Sequence, residues 1–399
     1  MLGNIEDEWE FATKLLSEGA YFTKETSHPE ALPIHMSTAH NVADLDDLQK
    51  RYDEGGFCYN RNRNPNRSAL IDLMNCLEGG ETSIACSSGM GAISSAIIAN
   101  TKQGDHILSD RTLYGESIEI FTDILGKYGV ETTFANFTDL EDVESKIQKN
   151  TVIFYTETVA NPLIAVPDLK AVSELAKNQK ALLIVDNTFM TGALVQPLYL
   201  GADLVVNSLT KFANGHSDAV CGAVTGKKEL IKKIYDLQVL LGTQADPFSS
   251  WLVSRGIRTL DLRVKKQSKN AEALAEALEA CQYVKKVHYP SLKSHAEHAI
   301  AEKEFAPYYG GMLSFEIDED WDKMNLFFRS MNLAHYAMTL GGYRTTLSYP
   351  VMSSHESVPE EERLKMGITN GLLRVSVGIE EEKDIIHDFL HALEIAYGK

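Results

Sequence analysis

Short apolar runs alternate with stretches of helical spacing over much of the chain. The apolar runs are continuous, which is typical of parallel strands that are buried on both faces. Between them, apolar residues recur every three or four positions, as on one face of a helix. This alternation predicts a large three-layer α/β domain with a largely parallel sheet. The predicted strands lie at residues 83–86, 106–108, 131–135, 151–156, 181–185, 201–206 and 218–224, and the predicted helices at 66–77, 91–99, 116–128, 139–147 and 167–178.

The segment before this domain, residues 1–62, has the pattern of an irregular arm. It contains one predicted helix, over residues 6–19, and then a polar run with prolines that extends to Pro33. Hydrogen-bonding side chains are dense around Tyr59 and Arg61, where core-forming residues are few. A solvated loop is the simple interpretation, although an arm before a compact domain often reaches onto a neighbouring subunit.

The chain beyond residue 257 has a different pattern, with fewer strands and longer helices. This pattern favours a smaller α+β domain over residues 258–399 and leaves residues 63–257 to the large domain. The predicted elements of the smaller domain are a long helix over 260–281, strands over 311–316 and 372–377, and a closing helix over 381–397.

Composition argues against several classes of function. The 399 residues are 44% hydrophobic and 24% charged, as in ordinary globular proteins, and the formal net charge of −18 disfavours a nucleic-acid partner. No apolar stretch resembles a transmembrane helix, and the start of the chain is too acidic for a signal peptide. The five cysteines lack C-x-x-C spacing, which favours reduced thiols over disulfides or a zinc site. We therefore predict a cytoplasmic protein that binds neither a membrane nor a metal ion.

Lys211 is the leading candidate for chemistry. It follows a predicted buried strand, and Ser208 and Thr210 are its near neighbours in the sequence. An amine beside two hydroxyls suits a phosphorylated aldehyde, because the amine can form a Schiff base while the hydroxyls hold the phosphate. A solvated loop lysine is the simpler interpretation. Ser208 and Lys211 also match the S-x-x-K pattern of serine acyl-enzymes, but the companion motifs S-D-N and K-T-G are absent.

Asp186 follows another continuous apolar run, at residues 181–185. A carboxylate at the end of such a strand lies at the edge of an open α/β sheet, where ligands bind. Pyridoxal phosphate (PLP) requires a carboxylate at its ring nitrogen, since this ion pair keeps the ring cationic and electron-accepting. An aspartate after a strand is commonly a helix cap or a turn residue, but its pairing with Lys211 predicts a PLP site.

A glycine-rich turn and an unusual arginine complete the candidates. Residues 87–91 form a small, glycine-rich turn between a strand and a helix, which predicts an anion site. The turn lacks the third glycine of the dinucleotide fingerprint, so NAD is not predicted. Arg374 lies inside an otherwise apolar predicted strand. It is either an edge-strand or ion-paired residue, or a guanidinium clamp for a substrate carboxylate.

These sequence segments together resemble those of the Cys/Met-metabolism family of PLP-dependent enzymes. The family includes cystathionine γ-synthase, cystathionine β- and γ-lyases, methionine γ-lyase and O-acetylhomoserine sulfhydrylase. The resemblance extends from about residue 55 to the end of the chain and is most specific over residues 186–189, 196–203 and 208–218. It implies fold type I of PLP-dependent enzymes, which is the aspartate-aminotransferase-like α/β fold, and a homotetramer built as a dimer of dimers.

The resemblance also implies roles around the cofactor. Lys211 would form the Schiff base and move protons, and Asp186 would bind the ring nitrogen. Tyr114 would stack on the ring and act as acid or base near the leaving group. Phosphate contacts would come from Gly89, Met90, Ser208 and Thr210 of the same chain and from Tyr59 and Arg61 of a neighbouring subunit.

For the substrate, the resemblance implies that Arg374 and Asn161 hold the α-carboxylate, with Thr339 as a further contact. Two other predicted substrate contacts depart from the family pattern. Glu116 stands where methionine γ-lyases have cysteine and many relatives have glycine. Arg344 stands where cystathionine γ-lyases typically carry glutamate. The alternative is that Glu116 and Arg344 pair with each other and say nothing about the substrate.

The predicted activity is γ-elimination on a γ-substituted L-amino acid, with 2-oxobutanoate and ammonia as products. Glu116 favours a cationic or strongly donating leaving group, such as the guanidinooxy group of canavanine, because a carboxylate accepts its planar donors in two bonds. Alternatives are a methionine or homocysteine γ-lyase, a cystathionine γ-lyase or γ-synthase, and an O-acetylhomoserine sulfhydrylase that works by γ-replacement. An aminotransferase and a non-catalytic binding protein are further alternatives.

Overall fold

A computed structural model of the protein describes residues 9–18, 29–354, 356 and 358–398. Helix α1 (Phe11–Ser17) falls within the helix predicted over residues 6–19. Positions 6–8 and 19 of that prediction lie outside the described residues, as do parts of the predicted arm.

The arm contains a second helix, α2 (Leu45–Glu54), which the sequence pattern did not predict. None of its residues is buried, although Leu45, Leu48 and Tyr52 recur at helical spacing. Its start is fixed by Asp44, whose side chain accepts a hydrogen bond from the Asp47 N–H. Gly55 ends the helix in the left-handed conformation that favours glycine.

A mixed, mostly parallel sheet forms the centre of the first part of the chain. Its strands are β1 (Thr82–Cys86), β2 (His106–Asp110), β3 (Glu131–Ala135), β4 (Thr151–Glu157), β5 (Leu182–Asp186), β6 (Leu204–Ser208) and β7 (Gly222–Gly226). In the part of the chain that the structure describes, these seven strands are ordered β1-β7-β6-β5-β4-β2-β3. Strands β2 to β6 run parallel, and β7 is antiparallel to both of its neighbours. The predicted α/β fold with a largely parallel sheet is confirmed.

Apolar clusters cover both faces of this sheet. Ile184 and Val206 pack in one cluster, whereas Leu183 and Val185 pack in another, so neighbouring residues of one strand point to opposite sides. The helices of this part are α3 (Pro65–Glu78), α4 (Gly89–Ile98), α5 (Gly115–Glu119), α6 (Leu140–Ser145), α7 (Leu169–Gln179), α8 (Thr191–Leu194), α9 (Lys228–Leu241) and α10 (Pro247–Ile257). A π-helical turn (Ile120–Ile124) and a 3-10 turn (Leu125–Tyr128) follow α5, and another 3-10 turn (Pro197–Leu200) follows α8.

A second sheet with helices forms the rest of the chain. Its elements are α11 (Leu260–Glu279), β8 (Lys286–His288), α12 (His298–Phe305), β9 (Met312–Glu316), α13 (Trp321–Ser330), β10 (His335–Tyr336), β11 (Thr346–Ser348), a 3-10 turn (Pro350–Met352), α14 (Glu360–Lys365), β12 (Leu372–Ser376) and α15 (Glu382–Tyr397). Within the described ranges the strand order is β10-β11-β12-β9-β8. All neighbours in this sheet are antiparallel except β10 and β11.

Helix α11 connects the two parts. Leu260 and Val264 near its start belong to an apolar core of the first part, and Leu274 and Leu278 near its end belong to the core of the second. The domain boundaries predicted near residues 62 and 258 stay predictions. Among the described helices, none combines the length and the apolar character that crossing a membrane requires.

Candidate active site

A cavity of about 340 Å³ lies where the ends of the first sheet's strands meet the second part of the chain. Strand-end residues of β4, β5 and β6 line it, which is the edge where open α/β sheets bind ligands. Most of the predicted site residues come together here. They are Gly89, Met90, Tyr114, Glu116, Asn161, Asp186, Ser208, Thr210, Lys211, Thr339 and Arg374.

Asp186, the last residue of β5, is buried, with 9% of its surface exposed. Its Oδ1 accepts a hydrogen bond from the Thr188 N–H at 2.9 Å. Burial raises its pKa to about 6, because a low-dielectric environment disfavours the charged form. Among the described residues, no cationic side chain forms an ion pair with it. Such a carboxylate suits a cationic N–H partner, such as the protonated ring nitrogen of PLP.

Lys211 lies in the turn after β6, and its backbone is held on two sides. Its N–H donates to the Ser208 carbonyl at 3.2 Å, within the turn itself. Gly341 from the second part packs on the other side, with φ +77°, and a Cβ there would lie 3.1 Å from the Lys211 Cα and overlap the Phe212 backbone. The close approach therefore requires glycine. This contact fixes the lysine between the two parts of the chain.

The charges around the Lys211 amine shift its pKa in opposite directions. Burial lowers its pKa, the Arg374 guanidinium lowers it further, and the Glu116 carboxylate opposes the shift. A lowered pKa increases the fraction of neutral amine, which is the nucleophilic form.

The start of α4 forms a cradle for an anion beside two hydroxyls. Ser88 caps the helix, since its Oγ accepts the Gly91 N–H at 3.0 Å. A Cβ on Gly89 would lie 2.7 Å from the Ser208 Cβ, so a side chain at this position would crowd the Ser208 hydroxyl. Thr210 Oγ1 donates to the Cys221 carbonyl and accepts from its N–H, both at 3.2 Å. Free N–H groups at a helix start and neighbouring hydroxyls are donors that a phosphate accepts.

These residues fit PLP. The buried Asp186 suits the ring nitrogen, the Lys211 amine suits the aldehyde, and the cradle at Gly89 and Ser208 suits the phosphate.

Arg374 lies on β12, between β11 and β9 in the interior of the second sheet, so the edge-strand interpretation is wrong. It is buried, and burial lowers its pKa to about 10. Its Nη1 donates to Asn161 Oδ1 at 2.8 Å, and it forms no ion pair with any carboxylate that the structure describes. A buried guanidinium that faces a cavity without a carboxylate partner suits a substrate carboxylate.

Tyr114 and Glu116 lie together at the start of α5. Burial raises the pKa of Tyr114 to about 12, and the Glu116 carboxylate beside it contributes to the shift. Glu116 itself is exposed. Arg344 lines a smaller cavity of about 180 Å³, whose wall shares Thr339 with the main one. Glu116 and Arg344 form no ion pair in the described chain, so the structure does not support the alternative in which these two residues pair.

Tyr59 and Arg61 do not line the cavity of their own chain. Arg61 Nη1 donates to the Val239 carbonyl at 2.6 Å, and the guanidinium carbon lies 5.7 Å from the Tyr59 ring centroid. Both residues are exposed. Their predicted place in the site of a neighbouring subunit stays a prediction.

Glu157 is a cavity residue to which the sequence pattern assigned no role. Its two oxygens accept the N–H groups of Tyr114 at 2.8 Å and Asn161 at 3.2 Å, so one carboxylate positions two predicted site residues. Burial raises its pKa well above its ordinary value, and the Asp186 charge adds to the shift. Glu157 is the last residue of β4, as Asp186 is the last residue of β5. This position at a strand end is the sequence signal by which Glu157 could have been recognised as a site residue.

The comparisons with known proteins agree with this geometry. A family model described as Cys/Met metabolism PLP-dependent enzyme matches residues 12–394. The cystathionine β-lyase MetC of Bacillus subtilis is 40% identical over 389 residues, which cover 97% of each chain. The cystathionine γ-lyase of the same species is 41% identical over 85% of this chain and 89% of the relative. An L-methionine γ-lyase of Porphyromonas gingivalis is 37% identical over 96% of this chain and 97% of the relative.

Solved structures give the same result. The cystathionine γ-synthase of Xanthomonas oryzae pv. oryzae superposes with a TM-score of 0.92 at 33% identity, covering 98% of this chain and 99% of that one. A chain described as an O-acetylhomoserine (thiol)-lyase from Campylobacter jejuni has a TM-score of 0.90 at 30% identity, covering 97% and 100%. That structure contains an N′-pyridoxyl-lysine-5′-monophosphate residue. A PLP cofactor and fold type I are therefore confirmed.

Proposed function

Because the chain belongs to the Cys/Met metabolism family of PLP-dependent enzymes, we propose that it catalyses γ-elimination on a γ-substituted L-amino acid. The observation that supports this most is the convergence of Lys211, Asp186 and Arg374 on one cavity. Bound PLP supplies an electron-accepting ring that acidifies substrate protons. The overall reaction consumes one water molecule and releases 2-oxobutanoate, ammonia and the protonated leaving group.

The chain's own residues bind the substrate and move protons. Arg374 holds the α-carboxylate with its planar N–H groups, and Asn161 Oδ1 fixes the orientation of the guanidinium. Lys211 Nζ takes the proton from the substrate Cα, which its lowered pKa favours. The raised pKa of Tyr114 keeps its Oη protonated at neutral pH, so this hydroxyl donates a proton to the leaving group at Cγ.

Glu116 supports a finer proposal about the leaving group. Its carboxylate lies beside Tyr114 and acts electrostatically on Lys211, where a γ-substituent would lie. A methyl-thioether gains nothing from a carboxylate there, whereas the guanidinooxy group of canavanine offers a planar fork of donors. Since Glu116 is exposed in the single chain, the preference rests on attraction to a cationic or donating group and not on the cost of an unpaired buried charge.

Cystathionine is the second candidate substrate. The relatives at 40% and 41% identity are named for cystathionine lyases. Arg344 lines the smaller cavity next to the main one, so a guanidinium and the Glu116 carboxylate are available to one long ligand. Opposite charges of this kind suit the zwitterionic amino-acid end of a cystathionine leaving group.

A substrate panel with product identification tests these proposals. Canavanine, cystathionine, methionine and homocysteine are compared by kcat/KM, and the keto acid is identified with no second amino acid or added nucleophile present. Release of 2-oxobutanoate supports γ-elimination, pyruvate from cystathionine indicates β-elimination, and a requirement for a keto-acid acceptor indicates an aminotransferase. Activity that appears only with an added thiol indicates γ-replacement.

The role of Glu116 is tested by Glu116→Gln, with Glu119→Gln as the matched control. Glu119 is an exposed carboxylate on the same helix that does not line the cavity. We expect Glu116→Gln to lower kcat/KM for canavanine at least tenfold and to leave methionine within threefold, while the control changes neither. A wild type that prefers methionine, or a canavanine rate that Glu116→Gln leaves unchanged, would contradict the canavanine proposal.

We also propose a homotetramer, built as a dimer of dimers, in the cytoplasm. Arg61 is anchored to Val239 on α9, and the last residues of α9, Leu240 and Leu241, are 81% and 52% exposed. Exposed large apolar side chains around an arm support its contact with a neighbouring subunit. All five cysteines are free thiols, which suits a reducing compartment.

A further inference from the structure

Three hydrogen-bond donors converge on Glu78, the last residue of α3, whose carboxylate does not line the cavity. The residue is fully buried, with 0% of its surface exposed. Its Oε1 accepts Asn207 Nδ2 at 2.9 Å and the Gly192 N–H at 3.0 Å, and its Oε2 accepts Asn187 Nδ2 at 3.1 Å. None of the described cationic side chains forms an ion pair with it.

The two asparagines connect this carboxylate to the ends of the strands that form the site. Asn187 directly follows Asp186 at the end of β5, and Asn207 directly precedes Ser208 on β6. Neighbouring side chains of a strand point to opposite faces. Asp186 and Ser208 line the cavity, whereas Asn187 and Asn207 turn away from it and donate to Glu78. One carboxylate therefore bridges the two strand ends from behind the site.

Packing alone does not explain a carboxylate at this position. Burial raises the pKa of Glu78 to about 7, the hydrogen bonds from Asn187 and Asn207 lower it, and the charge of Asp186 raises it again. An apolar residue of similar size would fill the space without the desolvation cost of a carboxylate. A glutamine would supply one acceptor oxygen in place of two, and its NH₂ group would face other donors. Only a carboxylate accepts all of these hydrogen bonds at once.

We propose that Glu78 is a positioning residue that holds the ends of β5 and β6 at the separation that one bound PLP molecule requires. It touches neither the cofactor nor the substrate, and it acts through Asn187 and Asn207 on their neighbours Asp186 and Ser208. This inference rests on the proposed function in one respect, namely that Asp186 and Ser208 are residues that bind PLP.

The test measures PLP affinity in Glu78→Gln. The apo-proteins of the wild type and the variant are titrated with PLP, and the Kd is obtained from the visible absorption of the cofactor. We expect Glu78→Gln to raise the Kd for PLP at least tenfold and to shift the pH at which the bound cofactor changes colour. The substrate KM, measured with saturating PLP, should stay within about threefold, because Arg374 belongs to the other sheet.

The double variant Glu78→Gln/Asn207→Asp provides a rescue. It exchanges the donor and the acceptor of one hydrogen bond and leaves the total charge unchanged. The new amide donates to the new carboxylate from the position of Oε1, and its carbonyl oxygen, at the position of Oε2, still accepts from Asn187. The Gly192 N–H, which shares Oε1 with Asn207, loses its acceptor. We expect this double variant to bind PLP at least threefold more tightly than Glu78→Gln, which a merely lost packing contact would not explain.

Asp72→Asn is the matched control. Asp72 lies on the same helix, is partly buried, and has a pKa that burial raises to about 6, but it does not line the cavity. We expect its Kd for PLP to stay within twofold of the wild type, whatever change in melting temperature the apo-protein shows. A Kd that rises in Asp72→Asn as much as in Glu78→Gln would show a general loss of stability and would overturn the proposal.

Asp186→Ala separates this inference from the proposed function. If Asp186→Ala leaves the Kd and the cofactor absorption unchanged, the assignment of Asp186 to the ring is wrong. If Asp186→Ala weakens binding while Glu78→Gln stays within twofold of the wild type, or if the double variant recovers nothing, Glu78 has no positioning role. Should Glu78→Gln fail to fold, Asn207→Ser removes only one of the bonds. We then expect a Kd at least threefold higher, and an unchanged Kd would overturn the proposal.

Discussion

Glu157 and Asp186 lie directly opposite each other at the ends of the parallel strands β4 and β5. Both carboxylates are buried, and burial raises the pKa of each. Two neighbouring buried carboxylates repel each other when both are charged. The site is therefore destabilising in the apo-protein, and a cationic ligand beside Asp186 relieves part of that cost.

Removing one of these charges should stabilise the apo-protein in a pH-dependent way. Folding raises the pKa of Asp186 from 3.8 to about 6. The favourable contribution of its protonated form to the free energy of unfolding is therefore complete below pH 3.8 and is lost as the pH rises through about 6. The shift corresponds to about 3 kcal/mol in total, of which about 1 kcal/mol is lost between about pH 5 and 8. We expect apo Asp186→Asn to be more stable than apo wild type, with a difference that grows by about 1 kcal/mol over this interval.

Urea unfolding of the two apo-proteins at equal concentration measures this difference. Glu119→Gln is the matched control, because Glu119 is an exposed carboxylate that does not line the cavity. A stability difference for Asp186→Asn that does not change with pH, that shrinks as the pH rises, or that Glu119→Gln reproduces would contradict the buried and unpaired state of Asp186. PLP should reverse the order of stability, because the ring nitrogen then pairs with the carboxylate.

Arg374→Lys should impair every amino-acid substrate in a similar way. Lysine keeps the charge but loses the planar fork that binds a carboxylate in two bonds, and a hydrogen bond to a charged group contributes about 1.5–3 kcal/mol. We expect KM to rise about 10- to 100-fold, with a smaller change in kcat. The wild type should also prefer a free amino acid to its methyl ester more strongly than the variant does.

Arg329→Lys is the control for this experiment. Arg329 is an exposed arginine on α13 that does not line the cavity, so KM and the ester preference should not change. An Arg374→Lys variant whose ester preference equals that of the wild type would show that Arg374 does not hold the α-carboxylate.

Hybrid oligomers should show whether Tyr59 and Arg61 complete the site of a neighbouring subunit. Arg61→Ala and Lys211→Ala protomers are each expected to be inactive. In an equal mixture, about half of the dimers are hybrids, and one of the two sites in each hybrid has both residues intact. We therefore expect recovery of about a quarter of the wild-type activity after subunit exchange.

The control mixes Lys211→Ala with Asp186→Ala. Both residues line the same chain's cavity, so no combination of these protomers contains an intact site. Recovery in this control, or no recovery in the Arg61 mixture despite demonstrated exchange, would contradict a site shared between subunits.

The sequence predicts the parts of this site that follow from local pattern. Lys211 and Asp186 could be found because each follows a continuous apolar run, and such runs mark strand ends in a parallel sheet. Glu157 has the same position on β4, but its role is to accept backbone N–H groups, which no motif reveals. The role of Glu78 depends on contacts with residues more than 100 positions away along the chain, so only the folded structure shows it.

Other features lay beyond the sequence for different reasons. Helix α2 lies in the polar arm and has no buried residue, so its short apolar stripe of Leu45, Leu48 and Tyr52 was not distinguished from a solvated segment. Arg374 was recognised as unusual, but only the strand order excludes an edge position. Tyr59 and Arg61 lie outside the cavity of a single chain, and their contacts in an assembly depend on a second copy.

The most direct measurement of the central claim, that Lys211 carries the cofactor, is the site of the pyridoxyl group. The yellow holoenzyme is reduced with borohydride, digested, and mapped by mass spectrometry, with Lys211→Ala and the matched variant Lys227→Ala treated in parallel. Lys227 is an exposed lysine that does not line the cavity. We expect the pyridoxyl mass on the peptide that contains Lys211 in the wild type and in Lys227→Ala, and on no peptide of Lys211→Ala. A pyridoxyl group fixed to any other lysine of the wild type would contradict it.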